Sequence, residues 1–209
     1  MTARWGPLGW ITLHSISANY PENPTQSDKL IMKRFIDLFA ETISCPSCKV
    51  HFGSMYQTYM SRHPGWWNSR AELFTFVCRA HNTVNTRLDK PIIQSVRDSI
   101  DTLIMLTKVT SASEYRKQYL LYLQRNWART DAEGFMMSRS VREMNQINNE
   151  YWNPREMNFD IQVPEADIVR PIMNIRGPSG NVLPGLKADG SPLQVGFSLR
   201  SGRFSLIRR

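Results

Sequence analysis

The chain has 209 residues, 26 Lys and Arg against 18 Asp and Glu, and a formal net charge of +8, which allows one ordinary domain with a packed core, or a compact domain plus an appendage. The excess positive charge favours acidic partners, nucleic acid or bound phosphate without choosing among them. Three cysteines argue against a disulfide-stapled secreted module. No apolar run reaches the roughly 18 residues of a membrane span, and Arg4 follows Met1 too closely for a signal peptide, so a cytoplasmic setting without membrane attachment is expected.

The elements read helix after helix. A first helix is expected from Pro7 to about Asn19, with Pro7 in the first turn, where its missing N–H costs nothing, and Tyr20-Pro21-Glu22-Asn23-Pro24 as its stop. Asp28 to Ile43 repeats Leu30, Ile31, Phe35, Leu38, Phe39 and Ile43 at three- and four-residue steps. A third helix should start at Cys45-Pro46-Ser47-Cys48 and reach about Tyr59. A fourth, Ser69 to Leu88, carries Leu73, Phe74, Val77, His81, Val84 and Leu88 on one face, and Pro91 closes the unit. Helical periodicity continues over Ile93–Thr107, Ser113–Trp127 and Phe135–Tyr151, with Ile100, Leu103, Tyr115, Tyr119, Tyr122, Leu123 and Trp127 as candidate core. The fold class is therefore all-α.

The organisation changes at Pro154. From there to Arg209 the chain holds six of its twelve prolines and six of its eleven glycines, with eight Lys/Arg against five Asp/Glu, which excludes long helices and predicts an extended, irregular, mildly basic arm that orders against something. The expected organisation is residues 1–110, a helical segment at 111–153, and the arm at 154–209.

Candidate chemistry starts with Cys45 and Cys48. A C-x-x-C at a helix N-terminus sets its first sulfur over unpaired backbone N–H groups, which lowers a thiol's pKa and creates an attacking thiolate. Alone, the motif also fits half a zinc site or a thioredoxin-like pair. Zinc would have to draw on Cys78, His14, His51, His63 and His81, among which no second C-x-x-C and no H-x3-5-H occurs, and no metal site is expected; a thioredoxin fold would need strands between the helices. Trp10 and His14, four apart, share a helical face. His81, Val84, Asn85 and Leu88 form a stripe that is neither wholly apolar nor wholly polar. Trp66, Trp67, Trp127 and Trp152 read as packing.

Four blocks in order, Trp5-Gly6-Pro7-Leu8-Gly9-Trp10-Ile11-Thr12-Leu13-His14, Tyr20-Pro21, Cys45-Pro46-Ser47-Cys48, and His81-Asn82-Thr83-Val84-Asn85-Thr86-Arg87-Leu88-Asp89-Lys90-Pro91, resemble the Erv/ALR family of FAD-linked sulfhydryl oxidases, most of all the members encoded by large DNA viruses. The resemblance covers about residues 4–95. It implies a four-helix bundle with a short fifth helix and FAD in the bundle's mouth, over a domain of residues 1–110. It further implies Cys48 as the sulfur beside the flavin C4a and Cys45 as the one meeting the incoming dithiol, with electrons passing through FAD to oxygen to give hydrogen peroxide. Cofactor contacts implied with it are Trp5, Gly6, Trp10, His14, Tyr20, Cys48, His81, Asn82, Val84, Asn85, Arg87, Leu88 and Lys90, with Arg87 and Lys90 toward the pyrophosphate and Trp5, Gly6 and Tyr20 closing the pocket.

Departures from the family pattern carry their own expectations. Cys78 matches one half of a structural disulfide, but Ser95 stands where the partner would be, so Cys78 is expected as a buried free thiol. No tryptophan follows between Ile92 and Thr110 to stack on adenine, and no second cysteine pair supplies a shuttle. The substrate is then a thiol-bearing protein or a separate thiol carrier. The resemblance also implies a homodimer through the first helices and, for a viral chain, a place in the host cytoplasm or virion; the arm is expected to dock on another protein in preference to nucleic acid. The alternative is a structural virion or capsid-associated protein that uses the oxidase fold as a scaffold and the arm as its interaction element.

Overall fold

The computed structural model describes residues 2–163, 169–173, 196–197 and 206–207. The expected all-α architecture is found. Seven helices follow in order, α1 (Thr2–Asn19), α2 (Gln26–Thr42), α3 (Pro46–Arg62), α4 (Arg70–Arg87), α5 (Val96–Val109), α6 (Ala112–Asn126) and α7 (Ala132–Ile147), and a π-helical turn (Asn148–Trp152) extends the last. The only strands among the described residues are Gly196–Phe197 and Leu206–Ile207, paired antiparallel with Gly196 opposite Ile207.

Helix starts follow from capping chemistry. Thr25 and Ser95 each form a reciprocal capping box, with Asp28 and Asp98, and Ser69, Ser111 and Asp131 cap α4, α6 and α7; each such cap is worth about 1 kcal/mol. Ser95, which stands where a half-cystine was sought, thus starts α5. Several boundaries differ from expectation, among them the start of α5, which falls at Val96 rather than Ile93. α1 begins at Thr2, so Pro7 lies inside it; the ring removes only the hydrogen bond to the Ala3 carbonyl one turn back, close enough to the helix end to be tolerated. α3 continues to Arg62, and the seventh helix starts at Ala132, where the Asp131 side chain accepts from the Gly134 N–H.

The core is continuous from α1–α4 into α6 and α7, through Leu13, Ile16, Phe35, Phe39, Phe76, Tyr119, Leu123, Met144 and Trp152. Tyr115 and Tyr122 are only half-buried. α6 lies along α1 and α7 along α2. Gly9 permits the first approach, because a Cβ there would come within 3.3 Å of Phe39 and 3.4 Å of Tyr119. Arg116 of α6 is buried against α1 without a carboxylate: its guanidinium donates to Asn148 Oδ1 (2.8 Å), Ser15 Oγ (3.2 Å) and Asn153 Oδ1 (3.0 Å). Burial pushes its pKa down to about 10, so it stays charged at neutral pH. Trp127 Nε1 donates to the Thr42 carbonyl (2.9 Å) and Ser44 Oγ meets Tyr122 Oη (3.2 Å), so α6 also braces the segment that leads into Cys45.

The start of the arm docks on its own chain. Met157, Phe159, Ile161, Val163 and Val169 pack with Phe74 and Cys78 of α4 and with α5, and Ile172 N–H donates to Thr83 Oγ1 (2.8 Å). Most of the remaining arm lies outside the described residues.

Candidate functional site

A cavity of about 1030 Å3 opens between α1, α3, α4, α5 and the segment that follows α4, at the upper end of the roughly 300–1,000 Å3 usual for cofactor sites. Its redox wall is the start of α3. Cys45 is the N-cap, Pro46 occupies the first turn, and the Cys48 N–H donates to Cys45 Sγ (3.3 Å). The two cysteines are joined as a disulfide and both face the cavity. A thiolate released at Cys45 would sit against the same unpaired N–H groups.

α1 supplies Trp5, Gly6, Trp10 and His14, and α4 supplies His81, Val84, Asn85, Arg87 and Leu88. The helical spacings read from the sequence therefore converge on one space. Trp10 stacks on His81 with ring centroids 4.2 Å apart and planes 10° from parallel. His14 Nε2 lies 3.2 Å from His81 Nδ1, and His14 Nδ1 lies 3.2 Å from Ser99 Oγ. Beyond α4, Asp89 adopts a left-handed conformation (φ 52°), which Asp tolerates better than most residues. It turns the chain back so that Lys90 N–H donates to the Asn85 carbonyl (2.9 Å) and Lys90 to Gln94 close one side of the cavity.

Two expected contacts lie elsewhere. Tyr20 is fully buried behind the end of α1, and its hydroxyl donates to the Trp67 carbonyl (2.9 Å). Asn82 is one residue past His81 and so about 100° round the helix, which turns it away from the cavity. It accepts from Ile93 N–H (2.7 Å) and donates to the carbonyls of Ile93 (2.9 Å) and Val169 (2.6 Å). Asn82 thus ties the returning segment and the arm to α4.

Other cavity residues carried no sequence signal as cofactor contacts: Phe39 and Ile43 from α2, Asp98, Ser99, Thr102, Leu103 and Leu106 from α5, and His51. His51 could have been found, since it lies three residues after Cys48 and hence on the same helical face. Its Nε2 is enclosed without a hydrogen-bond partner among the described residues, and an orphan of this kind costs about 1–3 kcal/mol unless a ligand satisfies it.

All three cavity imidazoles are held neutral at pH 7. Burial, then the charge of Arg87, lowers His51 to about 4; burial, then Lys90, lowers His81 to about 4. His14 falls well below the usual histidine range through burial and then His81. Burial also lowers Arg87. Cys78 is a buried free thiol pushed up to about 12 by burial, the state expected of it.

The donor set fits FAD. Trp5 and Trp10 offer flat apolar faces, Arg87 and Lys90 offer positive charge for phosphates, and the neutral imidazoles and the orphaned His51 nitrogen offer hydrogen bonds to ring edges.

Residues 8–103 match the model of the Erv1 / Alr family. The chain is similar to the mitochondrial FAD-linked sulfhydryl oxidase ERV1 of Saccharomyces cerevisiae, 37% identical over 86 residues, which are 41% of this chain and 43% of that protein. It is also similar to a putative FAD-linked sulfhydryl oxidase, 096R, of Invertebrate iridescent virus 3, 34% identical over 88 residues, which are 42% of this chain and 57% of the relative. Among solved structures, the FAD binding domain of Erv1 from Saccharomyces cerevisiae is 35% identical, with 44% of this chain covering 86% of that one at a TM-score of 0.40. The chain spans about half the length of the curated relatives it matches, and α6, α7 and the arm lie beyond the matched stretch.

Proposed function

We propose that the chain is an FAD-linked sulfhydryl oxidase forming disulfides in protein substrates, a reading supported by the match of residues 8–103 to the Erv1 / Alr family model. The observation that carries the reading is the Cys45–Cys48 disulfide on the wall of the same cavity as Trp10, His14, His81, Asn85 and Arg87. A substrate thiolate attacks Cys45; the Cys45–Cys48 bond breaks, and Cys48 leaves as a thiolate. The second substrate thiolate then displaces Cys45, so the substrate closes its disulfide and the pair holds the two electrons. FAD held there would supply a two-electron acceptor for the reduced pair, with oxygen as the final acceptor and hydrogen peroxide as the product. The protein's own part is placement. Cys45 would meet the dithiol and Cys48 would face the flavin; Trp5, Gly6, Trp10, Val84 and Leu88 would flank the ring system; His81, backed by His14, and Asn85 would bond its polar edges; Arg87 and Lys90 would offset phosphate charge.

In this reading residues 1–110 form the oxidase, 111–153 buttress α1 and α2, and the arm at 154–209 engages a protein partner beyond its first docked segment. For a viral chain the setting proposed with this reading is the host cytoplasm or the virion. Among the described residues no helix is long and apolar enough to cross a membrane. Homodimerisation would have to use surfaces of α1 and α2 that α6 and α7 leave free; light scattering giving twice the chain mass supports it, and the mass of one chain removes it.

The test is a visible spectrum of the purified protein followed by oxygen uptake with dithiothreitol. Flavin absorbance with thiol-dependent uptake is expected, and Cys48→Ser should end flavin reduction by dithiols. A colourless protein that does not take up FAD would overturn the oxidase and leave the scaffold reading.

A further inference from the structure

The chain just before the redox pair is gripped by the two helices that lie beyond the family match. Tyr122 Oη of α6 meets Ser44 Oγ (3.2 Å), Trp127 Nε1 donates to the Thr42 carbonyl (2.9 Å), and the Trp127 carbonyl accepts in turn from Ser138 Oγ of α7 (2.8 Å). α7 runs antiparallel to α2, for Arg34 donates to Glu143 (2.6 Å) and Ser140 to Glu41 (3.3 Å). One turn back from Ser140 on the same face of α7 is Met136, and four residues on from Glu41 is Cys45. The first turn of α7 therefore reaches the level of the disulfide.

That turn holds apolar side chains out into solvent, Phe135 at 69% and Met136 at 53% exposure. Neither is set there by fraying. Asp131 caps the helix through the Gly134 N–H (2.6 Å), and Gly134 packs so closely that a Cβ would meet Arg129 at 2.6 Å, so the helix is fixed with Gly134 inward and the next two residues outward. On α3, Pro46 and Val50, four apart and so on one face, are exposed as well. Cys45, itself partly open, thus has exposed apolar groups on two helices beside it, the character of an interaction surface.

What covers this surface follows from the reaction. A mixed disulfide holds its two Cα atoms roughly 4.4–6.8 Å apart, and an extended chain rising about 3.3 Å per residue carries the neighbours of the attacking cysteine across whatever lies beside Cys45. Arg139, one turn after Phe135, and Arg125, three residues after Tyr122, are exposed. Their charge favours an acidic segment and disfavours the chain's own arm, with eight Lys/Arg against five Asp/Glu. Building on the oxidase reading above, we propose that Phe135 and Met136, with Pro46 and Val50, form the docking surface for the apolar, acid-bearing segment that flanks the reacting cysteine of a protein substrate. α6 and α7 then take part in substrate recognition, and the flexible Met136 side chain lets one surface accept different apolar neighbours.

Two reduced peptides test this, each with a cysteine pair and the same Glu residues, one with Leu and Phe beside the first cysteine and the other with Ser in their place. The rate at which each opens the Cys45–Cys48 disulfide, read by alkylation and mass at matched thiolate concentration, should be about tenfold higher for the apolar peptide, the effect of one apolar side chain leaving water. In the double variant Phe135→Ser, Met136→Ser both peptides should react at the rate of the Ser peptide, while dithiothreitol, which has no flanking residues, opens the disulfide as fast as in the native protein. Equal rates for the two peptides on the native protein overturn the docking surface, as does a preference that survives in the variant. A native dimer in light scattering that the variant loses would also overturn it, by giving the surface to a second copy of the chain. Flavin bleaching by dithiothreitol in the same samples reads the oxidase separately: its absence would sink that reading, and the peptide preference would still be decided by the disulfide rates.

Discussion

Asn82→Ala separates a residue that touches the cofactor from one that shapes its pocket at a distance. Asn82 is fully buried and makes three hydrogen bonds, two to Ile93 and one to Val169. At a net 0.5–1.5 kcal/mol each, the variant should lose about 3 kcal/mol of stability, read from urea unfolding midpoints. Of the segment it holds, Lys90, Pro91, Ile92, Ile93 and Gln94 face the cavity, and the Lys90-to-Asn85 bond remains as a second anchor. FAD affinity, followed by flavin fluorescence, should therefore fall by about tenfold, or roughly 1.4 kcal/mol, without being abolished. The spectrum of the loaded variant should match the native one, because Asn82 points out of the cavity. Asn82→Asp keeps the acceptor for Ile93 N–H but turns a buried carboxylate toward the Ile93 and Val169 carbonyls, and should cost at least as much as the alanine variant. A variant within 0.5 kcal/mol of native stability with unchanged FAD binding would refute the clamp. An altered flavin spectrum at undiminished stability would restore the direct contact implied by family resemblance.

Two further outcomes follow from the imidazoles. His51 and His81, lowered to about 4 by burial, bind protons in the unfolded chain near 6.5 but not in the folded one; stability is complete above pH 6.5 and declines as pH falls toward 4, by about 3 kcal/mol for each at roughly 1.4 kcal/mol per pH unit. Equal urea midpoints at pH 7 and pH 4.5 would show that these rings do not titrate as described. His51→Leu should leave the FAD-free protein as stable as native or more so, since Nε2 has no partner among the described residues to lose, while FAD affinity drops by about tenfold; a destabilised FAD-free protein with native affinity would make His51 a packing residue.

The helices were readable because their apolar steps and caps are local properties. Ser69 and Asp28 mark helix starts by side chains acting three residues away. Pro7 misled the reading of α1 because a proline near a helix end is consistent with either the first turn or the second, and only the chain before it decides. The cavity was readable where its walls are single helices carrying dense motifs, α1 and α4. Asn82 and Tyr20 sit inside those motifs, yet their direction depends on the rotation of one residue about a helix and on where Trp67 lies. Ser99 enters the site through packing between separate helices, which no local pattern encodes, whereas His51 shares a helical face with Cys48. The same holds for α6 and α7. Their periodicity announces helices, but that α6 lies along α1 depends on Gly9 meeting Tyr119 and on Arg116 reaching Ser15, across about half the chain.

That long pairing bears on how the protein is made. Every cavity residue up to Leu106 leaves the ribosome before α6, the helix that covers the other flank of α1. Until then the apolar side of α1 that will receive Tyr119 and Leu123 is bare, as is the side of α2 that will receive Met144. The nascent oxidase unit is therefore exposed to self-association during this interval. Closure comes late, when Arg116 settles among Ser15, Asn148 and Asn153, so a flavin bound to the growing chain would occupy a pocket whose first helix is still held on one side only.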